Sequence, residues 1–378
     1  MRWVILTMIA TLLLPGANVY GESFDPAEVP SLISVLKVQE PLEFCGERVP
    51  LEIQEVRERL EKELLLNVWD RPQVILWLKR SRRYLPIIEK DLKKSSMPDD
   101  LKYVAIAESA LRPHVSSIKG AIGFWQFMKH TGRQYGLVIN RRIDERRNIF
   151  ASTKAALKCL KDFYDTFESW TLCVAAYNMG KQGIISEVLE QGTSDYYQLY
   201  LPIETQRFIF RILSVKLIIS DPGKYGFKLG KQDYFTPPKF DQVRINCSRE
   251  IPIRIIAQAA KTNFKTIKDL NPEIRGYRLA KGNHLILIPK GRSKNFHTRY
   301  SRIIKKIPIS RDERVYTIKK GDILSAIADR FDVPLKVLLI WNSLDPKQPI
   351  HPGDRLTIHP KSKKPVGKSV KSGKVGCP

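Results

Sequence analysis

Residues 108–132 read Glu-Ser-Ala-Leu-Arg-Pro-His-Val-Ser-Ser-Ile-Lys-Gly-Ala-Ile-Gly-Phe-Trp-Gln-Phe-Met-Lys-His-Thr-Gly, one carboxylate followed by a glycine-rich run of amides and hydroxyls. Leu101, Val104, Ala105 and Glu108 fall at i, i+3, i+4 and i+7, which puts that carboxylate on the apolar stripe of a helix. Poor solvation with no cation held close raises a carboxyl pKa, and an acid still protonated near neutral pH can donate its proton. The layout suits protonation of a sugar oxygen inside a groove. Ser117 and Gln126 offer hydrogen bonds to N-acetyl and hydroxyl groups, and Gly120 and Gly123 let backbone approach a ligand closely. Tyr177 pairs an apolar face with a donor, whereas Trp125, flanked by Phe124 and Phe127, reads as core.

Other chemistries are poorly supported. Cys45, Cys159, Cys173, Cys247 and Cys377 are odd in number and nowhere in Cys-x-x-Cys spacing, so they define neither a disulfide framework nor a zinc site. The six histidines show no metal-ligand spacing, and neither metal nor cofactor is expected. A hydrolase of sugars normally needs two carboxylates, and only one is evident. Asp144 and Glu145 stand among four arginines, Arg141, Arg142, Arg146 and Arg147, which favours a structural ion pair over nucleophilic work.

The elements that must position Glu108 are helices. Amphipathic patterns cover 52–66 and 72–92, with Pro86 kinking or ending the second. Pro98, Asp99 and Asp100 open the helix of Glu108, Leu157, Leu160, Tyr164 and Phe167 mark another, 172–178 is a short buried one, and 204–220 is apolar enough to be largely buried. Strand signals are nearly absent from 52 to 225.

The C-terminal third carries an internal repeat. Tyr316 and Ile318, then Leu324, Ile327, Ala328 and Phe331, then Leu338, Trp341 and Asn342, then Leu356 and Ile358 spell a β-α-α-β unit. A constant shift of 71 finds Ile245 and Cys247, Ile253, Ile256, Ala257 and Ala260, Ile267, Leu270 and Asn271, then Leu285 and Leu287. The alignment is gapless, puts Cys247 in the inward slot of Ile318, and replaces Gly321-Asp322 by Glu250-Ile251. Both units are expected to act as tethered modules, so that a chain truncated after about Phe240 keeps its chemistry.

The termini and the charge bound the setting. Arg2, the apolar run of residues 3–14 and small residues before Glu22 read as a secretory leader, cleaved or retained as an anchor. A formal net charge of +25 points to an anionic partner, and with export that partner is the cell envelope rather than nucleic acid, for which no recognition module is present. The basic run 361–378 is a disordered tail, either a solubility tail or an electrostatic tether. The expected organisation is a leader (1–21), a helical extension (22–95), a mainly α catalytic domain (96–235), a first unit (243–290), a linker without a clear core pattern (291–313), a second unit (314–360) and the tail. The fold class is α+β.

The ordered motifs at Glu108-Ser109, Pro113, Ser117, 120–127, 131–137, 144–146, 152–157, 175–180 and 202–205 resemble soluble lytic transglycosylase domains with the goose-type lysozyme fold. The two C-terminal units resemble LysM modules. The resemblance implies a lysozyme-like catalytic domain, peptidoglycan glycan strands as partner, and Glu108 as catalytic acid and base. It implies that Ser117, Gln126, Met128, Tyr177 and Asn178 line the glycan groove. It also implies cleavage between N-acetylmuramic acid and N-acetylglucosamine to a 1,6-anhydromuramoyl end, with a hydrolytic muramidase or an idle glycan-binding scaffold as alternatives. Gly321, Asp322 and Asn342 are expected to carry glycan binding in the second unit. Val115, Phe124, Lys129 and Met179-Gly180-Lys181 depart from the family pattern at the rim or conservatively.

Overall fold

The computed structural model describes residues 31–306, 314–342, 344–345 and 349–358. The expected leader, the basic tail with Cys377, and part of the expected linker lie outside them.

The helical part, residues 31–225, is built around one buried helix. After α1 (Leu32–Val35) and a small ribbon of β1 (Glu43–Phe44) and β2 (Glu47–Arg48) come α2 (Gln54–Trp69), α3 (Arg71–Lys94), α4 (Lys102–Ser109), α5 (Lys129–Gln134), α6 (Ile149–Phe167), α7 (Trp170–Met179), α8 (Lys181–Gln191) and α9 (Ile203–Ser220). On α9, Phe208, Ile209, Phe210, Ile212, Leu213, Val215 and Ile218 are buried, and α2, α4 and α7 all pack on it. That burial is the hydrophobic term that fixes α4 in place.

Local chemistry sets the boundaries. Asn148 caps α6 by accepting from the amides of Phe150 and Ala151, and Ser169 caps α7 through Leu172 N. α3 continues past Pro86 to Lys94, so Pro86 does not end it. Pro86 is exposed, so the carbonyl it leaves unpaired can meet water, and burial of Leu85, Ile88 and Leu92 on the other face outweighs the ~3 kcal/mol penalty. α4 ends abruptly: Ala110 and Leu111 take φ of 52° and 56°. Ser109 Oγ donates to Phe124 O (2.7 Å), which holds this left-handed exit against the loop that follows.

The first C-terminal unit comprises β3 (Phe240–Cys247), β4 (Ile251–Pro252), α10 (Ile253–Ala259), α11 (Phe264–Leu270), β5 (Arg278–Leu279) and β6 (Gly282–Pro289), with β3 antiparallel to β6 and β4 to β5. The expected linker contains α12 (Phe296–Lys306), which packs on α10. Phe296, Tyr300, Ile303 and Ile304 face this unit's core at i, i+4, i+7 and i+8, an amphipathic pattern obscured by the basic residues between them.

The second unit has β7 (Arg314–Thr317), α13 (Leu324–Arg330), α14 (Leu335–Asn342) and β8 (Arg355–Ile358). The gapless repeat is corrected here. Val243 pairs with Ile286 where Tyr316 pairs with Leu356, and Asn271 bonds Leu287 N where Asn342 bonds Thr357 N. The helices keep the shift of 71, but Ile245, not Cys247, matches Ile318, and Ile286 and Ile288 are the inward residues of the last strand. Leu285 is 51% exposed. Cys247 is nonetheless buried and free, beside Tyr300 of α12.

The first unit is not tethered; it is bonded to the helical part. Asp144 N donates to Glu273 O (2.8 Å) and Arg275 N to Arg142 O (2.7 Å), an antiparallel bridge at Ile143 and Ile274. The Ile143 side chain packs into the unit's own core, Arg142 pairs with Glu250 (2.8 Å), and Phe150 meets Phe240 edge-on. Glu250, in the connection before α10, thus serves docking. Removing residues 241–378 should therefore lower Tm and reduce turnover of soluble glycan chains by about tenfold or more. Removing 314–378 alone should leave both unchanged. Ile143→Asp should act like the larger deletion, because it buries an unpaired charge. Undiminished turnover after the larger deletion would contradict the docking role.

Candidate active site

A groove of about 850 Å³ opens beside α4 and is lined by Glu108, Ser117, Gln126, Met128, Tyr177 and Asn178, all six residues singled out in the sequence. They come from three places in the chain: the end of α4, the loop 110–128 and the end of α7. The loop is shaped from inside. Ser117 Oγ accepts from Ala121 N (3.0 Å), and Ile122 N donates to Phe127 O (3.1 Å). Gln126 has φ of 47° and donates its Nε2 to Gly123 O (2.8 Å), which fixes the amide and leaves Oε1 without a donor among the described residues.

Two expectations change. Gly123 does not serve ligand approach: a Cβ there would stand 1.9 Å from Arg146 O, so the position is glycine because another stretch of backbone crosses it. The Tyr177 hydroxyl donates to Trp125 O (2.7 Å) and is not a spare donor for substrate. Asn178 Oδ1 accepts from Thr205 Oγ1 (2.9 Å), which leaves its Nδ2 for a ligand. Trp125 is fully buried and donates Nε1 to Thr153 Oγ1 (3.1 Å), as a core residue should.

Behind the groove lies the Arg-rich loop. Asp144 is 1% exposed and meets Arg146 with two 2.9 Å bonds. Arg146 Nη1 in turn donates to Phe127 O (3.1 Å) and Gly120 O (3.2 Å), so the pair holds the glycine-rich loop from beneath. Burial alone would raise the Asp144 carboxyl, but Arg146 and Arg147 hold it below its ordinary value. Neither Asp144 nor Glu145 lines the groove.

Glu108 is different. It is half-buried, and no described side chain hydrogen-bonds or ion-pairs with its carboxyl. Burial pushes it up to about 8, Arg211 pulls the other way, and Glu204 adds to the rise. Arg211 has limited effect because Glu63, buried in α2, is 2.6 Å from Arg207 Nε and 3.9 Å from Arg211 Nε. The groove also holds Glu204 and Asp162, which the sequence reading did not select. Asp162 is engaged by Tyr135 (2.7 Å) and Lys181 (3.3 Å), whereas exposed Glu204 meets Lys119 at 3.8 Å. Glu204 was visible within the 202–205 motif, but nothing local said that it faces Glu108.

In the second C-terminal unit the residues expected to contact glycan make internal bonds. Asp322 Oδ2 accepts from Lys319 N (2.8 Å) and Tyr316 OH (2.7 Å). Asn342 clamps Leu338 O and Thr357 O, as Asn271 clamps Ile267 O and Leu287 O in the first unit. Gly321 has φ of 90° and opens the turn. These three residues shape the turn and the clamp of the module. Among the described residues, no group of His, Cys, Asp and Glu could hold a metal ion.

Comparison with known proteins agrees with this geometry. The Transglycosylase SLT domain family matches residues 86–200 and the LysM domain family residues 316–359. Membrane-bound lytic murein transglycosylase D of Escherichia coli (strain K12) is 30% identical over 334 residues, covering 83% of this chain and 72% of that protein. The chain belongs to that family of lytic murein transglycosylases. A protein of Alteromonas sp. (strain M-1), named for tributyltin chloride resistance, is 27% identical over 39% of this chain and 74% of its own length. The 70 kDa soluble lytic transglycosylase of Escherichia coli superposes with a TM-score of 0.33 at 15% identity, over 48% of this chain and 31% of that one.

The raised Glu108 carboxyl fixes a sign for pH. The folded state keeps a proton that the unfolded chain releases at about 4.5, so between about 4.5 and 8 this group makes stability fall as pH rises. An acid catalyst must hold that proton, so kcat/KM should decline as pH passes about 8. Glu63→Gln should strip Arg207 and Arg211 of their compensating charge, lower the Glu108 pKa and move this limb to lower pH. A pH profile with an unmoved limb would exclude the role of Glu63.

Proposed function

We propose that this lytic transglycosylase cleaves the β-1,4 bond between N-acetylmuramic acid and N-acetylglucosamine without water. The observation that carries the reading is one unpaired, half-buried carboxyl, raised to about 8, in the lining of a groove that Gln126 and Asn178 also line. Glu108 gives its proton to the glycosidic oxygen as the C1–O bond breaks, and the muramoyl N-acetyl oxygen assists departure. The carboxylate then takes the proton of the C6 hydroxyl as that oxygen bonds to C1. The product is a 1,6-anhydromuramoyl end and a free N-acetylglucosamine hydroxyl, with atoms balanced and no second protein nucleophile. Gln126 Oε1 and Asn178 Nδ2 are suited to fix N-acetyl or hydroxyl groups of neighbouring sugars.

The relatives support a setting. The membrane-bound relative and the net charge of +25 support action at the cell envelope. No helix among the described residues is long and apolar enough to cross a membrane. The second C-terminal unit, within the LysM match, supports retention on insoluble peptidoglycan through effective concentration.

Glu204 supports a second reading, an inverting hydrolase, because it is an exposed carboxylate on the same groove. Mass spectrometry of digested peptidoglycan separates the two, since anhydro and reducing ends differ by one water. Glu108→Gln should abolish cleavage, a loss of at least ~10² to 10⁴, while folding persists. Glu204→Gln should keep anhydro products. Reducing ends from the native enzyme, or loss of all cleavage in Glu204→Gln, would favour hydrolysis.

A further inference from the structure

A second cleft, of about 460 Å³, is lined by the segment 111–115 that follows α4 and by Arg80, Arg83, Tyr84 and Phe235, with Arg112 and His114 on that segment. Three guanidinium groups meet there, and no carboxylate is among the lining residues. Arg80 and Arg83 are three apart on α3 and share a face, while Arg112 follows the left-handed exit of α4. Each is steadied by a main-chain oxygen rather than by an acid. Arg80 Nη1 donates to Ala110 O (3.2 Å), Arg83 Nε to Thr236 O (3.0 Å) and Arg112 Nε to Ser109 O (3.1 Å). None of the three forms an ion pair with a described carboxylate.

Such a cluster is costly in the empty protein. Burial lowers the Arg80 pKa, and the charges of Arg112 and Arg83 lower it further, so the three cations do repel one another. The fold enforces the arrangement anyway, with Phe235 fixed by its amide on Lys79 O (3.0 Å) and the Arg83 guanidinium 5.1 Å over the Phe235 ring. Planar forks with most of their N–H groups uncommitted match carboxylates, and the aromatic walls suit the carbon frame that bears them.

The cleft and the groove are close. Val115 lines the cleft, and its carbonyl accepts from Gly123 N (3.0 Å) and from the Gln126 side chain (3.4 Å), which lines the groove. From Pro113 in the cleft to Ser117 in the groove is four residues, at most roughly 14 Å. A short peptide hanging from a glycan bound in the groove spans that distance.

We propose that the Arg80, Arg83 and Arg112 cleft binds the carboxylates of the peptide attached to the muramoyl residue, so that the enzyme reads peptide as well as glycan. For its ligand this inference rests on the peptidoglycan reading above. The test compares glycan strands that carry their peptides with the same strands stripped of peptide by an amidase. Arg80→Gln/Arg83→Gln and, separately, the exposed Arg112→Gln are assayed on both, with Tm measured for each.

The expected result is a KM raised about tenfold on peptide-bearing strands for the double variant, and less for Arg112→Gln, with both parameters unchanged on stripped strands. An equal loss on both substrates, or no loss on either, overturns the proposal. Arg112→Gln decides the matter if the double variant lowers Tm, since Arg112 is on the surface. Native turnover of stripped strands into anhydro ends reports on the glycan reading by itself, so the two readings fail separately.

Discussion

The buried ion pair of Asp144 with Arg146 is the constraint on which the site depends. A carboxylate that is 1% exposed is tolerable only with its charge matched and its lone pairs occupied, and Arg146 does both. The same guanidinium then reaches Phe127 O and Gly120 O, so the charge that neutralises Asp144 also spaces the two ends of the groove loop. Breaking a buried pair typically costs about 3–5 kcal/mol, most of it from the stranded partner. Here the stranded partner would stand under the glycine-rich loop of the groove. The Asp144 amide is tied to Glu273 O, which extends the constraint into the first C-terminal unit.

Two carboxylates of one domain are thereby driven apart in character. Asp144, fully partnered by arginines, stays ionised, and Glu108, unpartnered at the end of α4, keeps its proton to about 8. Arginines are close to both. What differs is that Glu63 occupies Arg207 and Arg211 near Glu108, so desolvation wins there, whereas around Asp144 the arginines bond the carboxylate itself. The same counting explains the cleft of Arg80, Arg83 and Arg112, where cations converge without any such acid.

The two units share the same internal wiring and differ in their contacts. Asn271 and Asn342 make the same clamp between helix end and last strand, the strongest sign of common architecture. The first unit has a longer connection before α10, an added helix α12 and Glu250 in an ion pair with Arg142. It has become part of the catalytic body. The second keeps the compact turn that Asp322 organises.

Much was legible in the sequence because it is a matter of local period and local chemistry. The stripe that carries Glu108, the core role of Trp125, the ion-pair role of Asp144, the burial of α9 and the existence of two related units all follow from spacing within a turn or two of chain. Even α12 was there to be read at 296, 300, 303 and 304. What only the tertiary structure decided are the meetings of distant surfaces. No periodicity says that Arg146 O will lie against Gly123, that the Tyr177 hydroxyl will be taken by Trp125 O, or that Glu204 will face Glu108. Strand register belongs to the same class: a two-residue shift keeps every inward and outward alternation, so the sequence pattern that placed Cys247 opposite the slot of Ile318 fitted equally well, and only the hydrogen-bond ladder separates it from Ile245.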